Sequence, residues 1–283
     1  MVLFLDLLRS VIYGVIEGIT EWLPISSTGH MILAEQVLKF SFSAEFMEMF
    51  RVVIQLGAIL AVVVMYFKKL WPFCVDNGRD SGLAKHVRWP VMRLWFKIIV
   101  ACLPAAVLGL ALDDWIDAHF YNSVVVAVML IVYGIAFILI ERRPRVPTTT
   151  KLSRITYRQA LIVGAWQVLA LIPGTSRSGS TIIGGLLCGM SRACASQFTF
   201  FLAIPVMAGA SLLKVIKFAV SGVSITGTEI AVLLVGCVVA FVVSLAAIRF
   251  LMDYVKRHDF KFFGIYRIVL GAICLLYTSD AAD

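Results

Sequence analysis

The stretch EGITEWLPISSTGH, residues 17–30, gathers two carboxylates, several hydroxyls and an imidazole within an otherwise apolar part of the sequence. The chain has 283 residues, of which 61% are hydrophobic and only 15% are charged. A soluble domain of this length could not bury so much apolar surface. The apolar runs are continuous and do not alternate, which favours helices over a transmembrane β-barrel. The composition therefore predicts an all-α polytopic membrane protein with a polar stretch at membrane depth.

Six apolar stretches are long enough to cross a bilayer, which takes about 20 helical residues. They cover residues 49–67, 94–112, 123–140, 198–220, 229–248 and 262–278. Basic residues concentrate in the connections after the first, third and fifth spans, so these connections are expected on the cytoplasmic side. The connections at 113–123 and 221–229 contain no Lys or Arg and are expected outside. This distribution explains the formal charge of +8 without nucleic-acid binding.

Two further apolar regions, 1–40 and 159–190, are interrupted by Pro and by a Ser/Thr/Gly cluster. A piece such as 159–173 is about 22 Å long as a helix, too short to span a bilayer. We therefore expect two re-entrant helix pairs, whose irregular backbone lies against protein or a polar cavity.

The two interrupted regions resemble each other, as GVIEGITEWLPISSTG from Gly14 and GAWQVLALIPGTSRSG from Gly164 show. Three spans follow each copy, so the second copy enters the membrane from the opposite side. This pattern predicts an inverted-topology repeat formed by residues 1–150 and 151–278, as in many transporters. Residues 279–283 follow the last span abruptly and are interpreted as a non-native tail.

Glu17 and Glu21 are four residues apart, so a helix places both carboxylates on one face. Two like charges at membrane depth are costly unless protons or a cation compensate them. Carboxylate oxygens suit a hard divalent metal, and we expect Mg²⁺ or Ca²⁺. The alternative is a helix end at the interface whose glutamates simply reach water.

Hydroxyl clusters follow both interruptions. After Pro24, residues 26–29 can begin a second helix whose backbone N–H groups and hydroxyls bind an anion. Ser27 and His30 share a helical face, where an imidazole could activate a hydroxyl; a purely structural helix cap is the alternative.

In the second copy, PGTSRSGST, hydroxyls surround Arg177, whose forked donors suit a phosphate or pyrophosphate. A positive-inside anchor is the alternative for Arg177. Together the two clusters favour hydrolysis of a phosphoanhydride on an amphiphile. A transporter or flippase of a lipid-linked phosphate would use the same anion pocket without breaking a bond.

These motifs, with VVIQLGAILAVV at 52–63 and IYR at 265–267, resemble the undecaprenyl-pyrophosphate phosphatase family, the bacitracin-resistance proteins. The resemblance covers nearly the whole chain. It implies a metal-dependent enzyme of the bacterial inner membrane that removes the terminal phosphate of undecaprenyl pyrophosphate, with an active site open towards the periplasm. The product, undecaprenyl phosphate, is the lipid carrier reused for cell-wall polymers.

The resemblance also implies residue roles. Glu17 and Glu21 would bind metal or act as acid and base, and Ser27 would be the nucleophile. His30 would activate Ser27 or donate to the leaving group; phosphoryl transfer to His30 and direct attack by water stay open. The pyrophosphate would be held by Ser26, Thr28, Ser176, Arg177, Ser178 and Thr181. Arg267 would add a second cation, with an interfacial anchor as its alternative.

Two positions depart from the family pattern. Arg51 and Gln197 each stand where the family usually has an acidic residue, at similar places in the two repeats. Gln55 is expected to make a helix–helix hydrogen bond and to be a neighbour of the site. The sequence leaves a homodimer open.

Overall fold

In a computed structural model the protein is described over residues 2–75, 78, 82–120, 122–142 and 146–279. Arg79, Arg143 and Arg145 of the expected basic connections lie outside the described residues. So do residues 280–283 of the expected tail, whereas Ser279 is the last residue of a helix.

The described part of the chain is helical and contains no strand, only two isolated bridges. Its α-helices are α1 Val2–Thr20, α2 Ser27–Val37, α3 Ala44–Met65, α4 Phe67–Leu70, α5 Trp89–Phe120, α6 Ser123–Arg142, α7 Tyr157–Val168, α8 Arg177–Leu187, α9 Arg192–Val220, α10 Gly227–Arg257 and α11 Lys261–Ser279. Short 3₁₀ turns occupy Gly82–His86, Leu152–Arg154 and Leu169–Leu171.

Five of the described helices are long and apolar enough to cross a membrane, namely α3, α5 up to Leu112, α6, α9 and α10. They confirm five of the six expected spans. The sixth coincides with α11 and stays a prediction. The expected connection at 113–123 is wrong in extent, because α5 continues to Phe120. The last residues of the helix, DDWIDAHF at 113–120, contain neither Gly nor Pro that would end it earlier.

The two interrupted regions form the pairs α1/α2 and α7/α8, and their breaks have the same local geometry. Ser26 and Ser176 cap α2 and α8, and both have a positive φ, 74° and 69°. Each cap hydroxyl accepts a hydrogen bond from the backbone N–H three residues later, at Gly29 and Gly179. This is the usual manner in which a serine satisfies the first free N–H groups of a helix.

Helix packing is close where small residues meet. A Cβ on Gly14 would lie 2.7 Å from the carbonyl oxygen of Gly236, and one on Gly164 would lie 2.3 Å from that of Ala101. Glycine therefore allows α1 to pack on α10, and α7 on α5, backbone to backbone. Helix α3 also packs on α9, and α6 on α11. The breaks of both pairs are thereby enclosed by long helices.

Candidate active site

The two breaks meet through an ion pair. Arg177 at the start of α8 donates from Nη2 to Oε1 of Glu21, which follows α1, at 2.8 Å. Both side chains are largely buried, with 12% and 7% of their surface exposed. The expected juxtaposition of Glu21 and Arg177 is confirmed. Removing one partner of such a pair leaves a buried charge uncompensated, which typically costs about 3–5 kcal/mol.

The rest of the Arg177 guanidinium is held by its surroundings. Nη1 donates to the carbonyl of Thr199 at 3.0 Å, and the guanidinium lies 5.9 Å from the ring of Trp22. Nε is buried and has no hydrogen-bond partner. Arg177 therefore keeps one N–H donor uncommitted while its other contacts fix its position.

Ser27, the first residue of α2, is paired with Glu21. Its hydroxyl donates to Oε2 of Glu21 at 2.8 Å, so the two carboxylate oxygens face the serine on one side and Arg177 on the other. A carboxylate in this position can accept the hydroxyl proton, which is the role of a general base.

His30 does not contact the Ser27 hydroxyl by any described hydrogen bond. Its Nδ1 lies 2.7 Å from the carbonyl oxygen of Ser26, and its Nε2 lies 2.7 Å from the hydroxyl of Tyr266. The rings of His30 and Tyr266 are stacked, with 5.7 Å between their centroids. Nδ1 therefore donates to Ser26, and in the neutral imidazole Nε2 accepts from Tyr266. The side-chain partner of the Ser27 hydroxyl is therefore Glu21, and a catalytic role of His30 stays a prediction.

A cavity of about 570 Å³ reaches this centre. Glu17, Ser27 and Thr28 line its inner part, so three of the expected site residues face it. Glu21 and Arg177 are not among its lining residues and lie behind Ser27. The outer part is lined by residues of α2, α3 and α9, among them Glu35, Glu48, Arg51, Gln55 and Lys214.

The hydroxyls of the second break make contacts within the protein. Ser178, 1% exposed, donates to the carbonyl of Leu23 in the first break at 3.3 Å. Thr181, fully buried, donates to the carbonyl of Arg177 at 2.8 Å. Ser176 is half-buried and lies 3.2 Å from the Ser178 hydroxyl. Ser178 therefore links the two breaks, whereas Thr181 makes its contacts beside the second break. Direct contact of these hydroxyls with pyrophosphate stays a prediction.

Arg267 on α11 is fully buried and is not among the residues that line the cavity. Its guanidinium donates to the carbonyls of Gly174 and Thr175 in the second break, both at 2.9 Å, and to Pro24 in the first, at 3.3 Å. Longer contacts of 3.4 Å reach two carbonyls of α6. Arg267 therefore joins the backbones of the two breaks, and a contact of Arg267 with the substrate stays a prediction.

The sequence of this chain matches the family model described as "Bacitracin resistance protein BacA" over residues 10–273. The chain belongs to the BacA family. Similar curated relatives are named undecaprenyl-diphosphatase. That of Enterococcus faecalis is 57% identical over 97% of this chain and 98% of its own length, and that of Lactococcus lactis subsp. lactis is 57% identical over 96% and 97%. Another, of Streptococcus mutans, is 56% identical over 97% of each chain. With five apolar helices among its described residues, this member of the family is a multi-pass integral membrane protein.

The two departures of this BacA protein from the expected pattern lie in different surroundings. Arg51 on α3 lines the cavity and donates to Oε1 of Glu35 on α2 at 2.7 Å. Gln197 on α9 is hydrogen-bonded to Tyr66, just after α3, and is not a lining residue of the cavity. Gln55 does line the cavity, as expected for a neighbour of the site.

A hard divalent cation at the acidic pair stays a prediction, and Glu17 is the member of the pair with an oxygen that lacks a partner. Glu17 is 1% exposed, and its Oε1 is buried without a hydrogen-bond partner. A buried carboxylate oxygen without a partner requires a compensating charge or proton. No group of three or more His, Cys, Asp or Glu suited to a metal occurs among the described residues. Glu17 and Glu21 would therefore hold the cation together with oxygen atoms from outside the protein, such as phosphate and water.

Sequence reasoning missed two residues that contact the site or line its cavity, Tyr266 and Lys214. Tyr266 stood within the IYR motif, but nothing in its spacing indicated that it would contact His30, 236 positions earlier. Lys214 could have been found, because a charged residue inside an apolar span usually faces a polar cavity or partner.

Proposed function

We propose that this chain is an undecaprenyl-diphosphatase, which hydrolyses undecaprenyl pyrophosphate to undecaprenyl phosphate and inorganic phosphate. The product is the lipid carrier that cell-wall synthesis reuses. The names of relatives that are 56–57% identical over nearly the full chain support this substrate. The isoprenoid tail would stay among the exposed apolar residues of the helices in the bilayer, while the diphosphate enters the cavity.

The observation that carries the proposal is the series of contacts from Ser27 through Glu21 to Arg177. It supplies a nucleophile, a base that can accept its proton, and a cation that balances the base. A protein that only binds a phosphate does not need a hydroxyl paired with a carboxylate. The series therefore favours hydrolysis over the alternative, a transporter or flippase of a lipid-linked phosphate.

In the first step Ser27 Oγ bonds to the terminal phosphorus, and the bond from that phosphorus to the bridging oxygen breaks. Undecaprenyl phosphate leaves with the electron pair, and the hydroxyl proton passes to Glu21. In the second step water attacks the phosphoserine from the cavity, in line with the bond to Ser27 Oγ, and loses one proton to the water around it. Glu21 returns its proton to Ser27 Oγ as hydrogen phosphate leaves, so the cycle consumes one water and releases one proton.

The remaining residues position these groups. The start of α2 presents its free N–H groups and the Thr28 hydroxyl beside Ser27, which suits an anion. His30, whose other ring nitrogen contacts the Tyr266 hydroxyl, donates to the carbonyl of Ser26 and thereby holds the start of this helix. Arg177 lies behind Ser27, where its positive charge balances Glu21 and makes the potential at the reacting phosphate more favourable. A divalent cation, Mg²⁺ or Ca²⁺, held at Glu17 and Glu21 would neutralise charge on the phosphate oxygens.

We further propose that the chain is an inverted-topology repeat with six spans and two re-entrant pairs. Three features support it: the matching caps at Ser26 and Ser176, the matched packing of α1 on α10 and of α7 on α5, and the self-paired helices α3/α9 and α6/α11. In this scheme residues 1–150 and 151–278 are the two copies. A homodimer stays a prediction.

The same scheme places the site towards the periplasm of a bacterial inner membrane. The cavity is lined by the first half of α3, from Ala44 to Gln55, and by Lys214 in the second half of α9. The opposite ends of these helices adjoin the basic connections, which are expected in the cytoplasm. The cavity would therefore open on the external side.

The test is phosphate release from undecaprenyl pyrophosphate by the purified protein and by a Ser27→Ala variant. The wild type should release inorganic phosphate, and Ser27→Ala should lose at least about 100-fold in turnover, the scale expected when a nucleophile is removed. Ser153→Ala, an exposed serine outside the site, is the matched control. Acid quenching with terminally labelled substrate should trap phosphoserine. A Ser27→Ala protein that folds and turns over normally would refute the assignment, and an active wild type with no trapped label would favour direct attack by water.

A further inference from the structure

The outer part of the cavity carries two cations from different helices. Arg51 projects from α3, and Lys214 projects from α9. Neither belongs to the Ser27–Glu21–Arg177 series, so the chemistry of the reaction does not account for them. Charged side chains are rare within membrane-spanning helices, and they usually mark the path of an ion or a polar substrate.

Each of these cations is paired with a carboxylate across a helix boundary. Arg51 donates to Glu35 of α2 at 2.7 Å, and Lys214 donates to Glu48 of α3. Glu48 and Arg51 are three residues apart on α3, so both ion pairs lie on one face of that helix, one turn from each other. The cavity therefore presents two adjacent cations beyond its inner end.

Both ion pairs are accessible to water. The exposed fraction is 28% for the Arg51 side chain and 30% for Glu35, while Lys214 is 18% and Glu48 52% exposed. Pairs with this much exposure contribute only about 0–1 kcal/mol. A phosphate dianion can therefore displace a carboxylate from the guanidinium or the ammonium at small cost, and it accepts a forked contact from arginine in the same geometry.

One face of α2 leads from Ser27, the proposed nucleophile, to the two cations in the outer part of the cavity. Ser27, Met31 and Glu35 all line the cavity at four-residue intervals, so they follow one face of the helix from the inner to the outer part. An anion released at Ser27 and leaving along this face reaches Arg51 next.

We propose that Arg51 and Lys214 form a second phosphate subsite, which receives the inorganic phosphate released at Ser27 before it leaves the cavity. This inference rests on the proposed function. The carboxylates of Glu35 and Glu48 hold the two cations in place between turnovers, and they compete with the departing phosphate, which keeps the subsite weak enough to empty.

The test is equilibrium dialysis of radiolabelled inorganic phosphate against the purified full-length protein in detergent, with EDTA present. Arg51→Gln and Lys214→Gln should each weaken phosphate binding about fivefold, as expected for one charge-assisted contact in a water-accessible cavity. Glu35→Gln should strengthen it about threefold, because the competing carboxylate is removed. Lys217→Gln is the matched control, since Lys217 is exposed one turn further along α9 and does not line the cavity.

The opposite signs expected for Arg51→Gln and Glu35→Gln separate a phosphate subsite from a structural ion pair. If breaking the Glu35–Arg51 pair only loosened the fold, both variants would weaken phosphate binding together and lower the unfolding temperature. That result, or binding equal to wild type in both, overturns the subsite. Turnover of undecaprenyl pyrophosphate by the wild type is measured in parallel. An active wild type whose phosphate binding is unaffected by the substitutions overturns the subsite alone, and an inactive wild type overturns the proposed function.

Discussion

Replacing Arg267 by Gln should destabilise the protein and lower its turnover together. The guanidinium binds three carbonyls of the two breaks, those of Pro24, Gly174 and Thr175, from a fully buried position. Glutamine has a single donor nitrogen and a shorter reach, so it cannot join the two breaks. At least two buried carbonyls then lose their partners.

The size of the effect follows from these contacts. A buried polar group left without a partner costs about 1–3 kcal/mol, and the two contacts at 2.9 Å are the principal losses. Glutamine is neutral, so the protein no longer has to bury a charge, and this gain offsets part of the cost. We expect a net loss of about 3 kcal/mol, which corresponds to a fall of roughly 5 °C in Tm for a chain of this size.

The assay combines thermal unfolding in detergent with the kinetics of phosphate release. If Arg267 positions the breaks, kcat should fall more than KM rises, because the relative placement of Ser27 and Arg177 is disturbed. Arg249→Gln, a change at an exposed arginine of α10, is the control and should alter neither quantity. An Arg267→Gln protein with unchanged Tm and a raised KM alone would show that Arg267 contacts the substrate and does not position the breaks.

Three further predictions concern the site and the topology. Tyr266→Phe removes the hydroxyl that contacts His30, so turnover should fall about tenfold with little change in Tm, as expected for the loss of one positioning hydrogen bond; unchanged turnover would mean that this contact is dispensable. Removal of divalent cations by EDTA should abolish phosphate release, and added Mg²⁺ or Ca²⁺ should restore it, whereas full activity in EDTA would exclude a metal at the acidic pair. Single cysteines at positions 115 and 225 should react with an impermeant thiol reagent from outside, and one at 150 only from inside; labelling of 150 from outside would contradict the positive-inside argument.

The general plan of this protein could be predicted from sequence because it depends on local patterns. Apolar runs indicate the membrane spans, and basic residues indicate the side of the membrane on which each connection lies. The Pro–hydroxyl–Gly pattern indicates the starts of α2 and α8. The meeting of Glu21 with Arg177 follows from treating the two similar regions as an inverted pair. These inferences need only the periodicity of a helix and the chemistry of single residues.

Other features depend on contacts that sequence spacing does not encode. The spacing places His30 on the same helical face as Ser27, but its ring contacts Tyr266, which comes from the last helix. A lone cation beside a phosphate site suits substrate binding, whereas the donors of Arg267 satisfy backbone carbonyls exposed by the breaks. In both cases the actual partner is a backbone or side-chain group far away in sequence. The sequence pattern places the end of α5 too early, because polar residues suggest a helix end although no Gly or Pro stops the helix there.

The central claim is that Glu21 and Arg177, contributed by the two breaks, act as one unit in phosphate release. A double-mutant cycle measures this directly, with Glu21→Gln, Arg177→Gln and the double variant assayed for turnover of undecaprenyl pyrophosphate. Each single change should reduce turnover at least about 100-fold, and the double variant should be little worse than either, because residues that act as a unit are not additive. The exposed pair Asp253–Lys256 provides the control cycle, in which turnover should stay at the wild-type level. Independent, multiplicative losses at Glu21 and Arg177, or near-normal turnover in either single variant, would contradict the account.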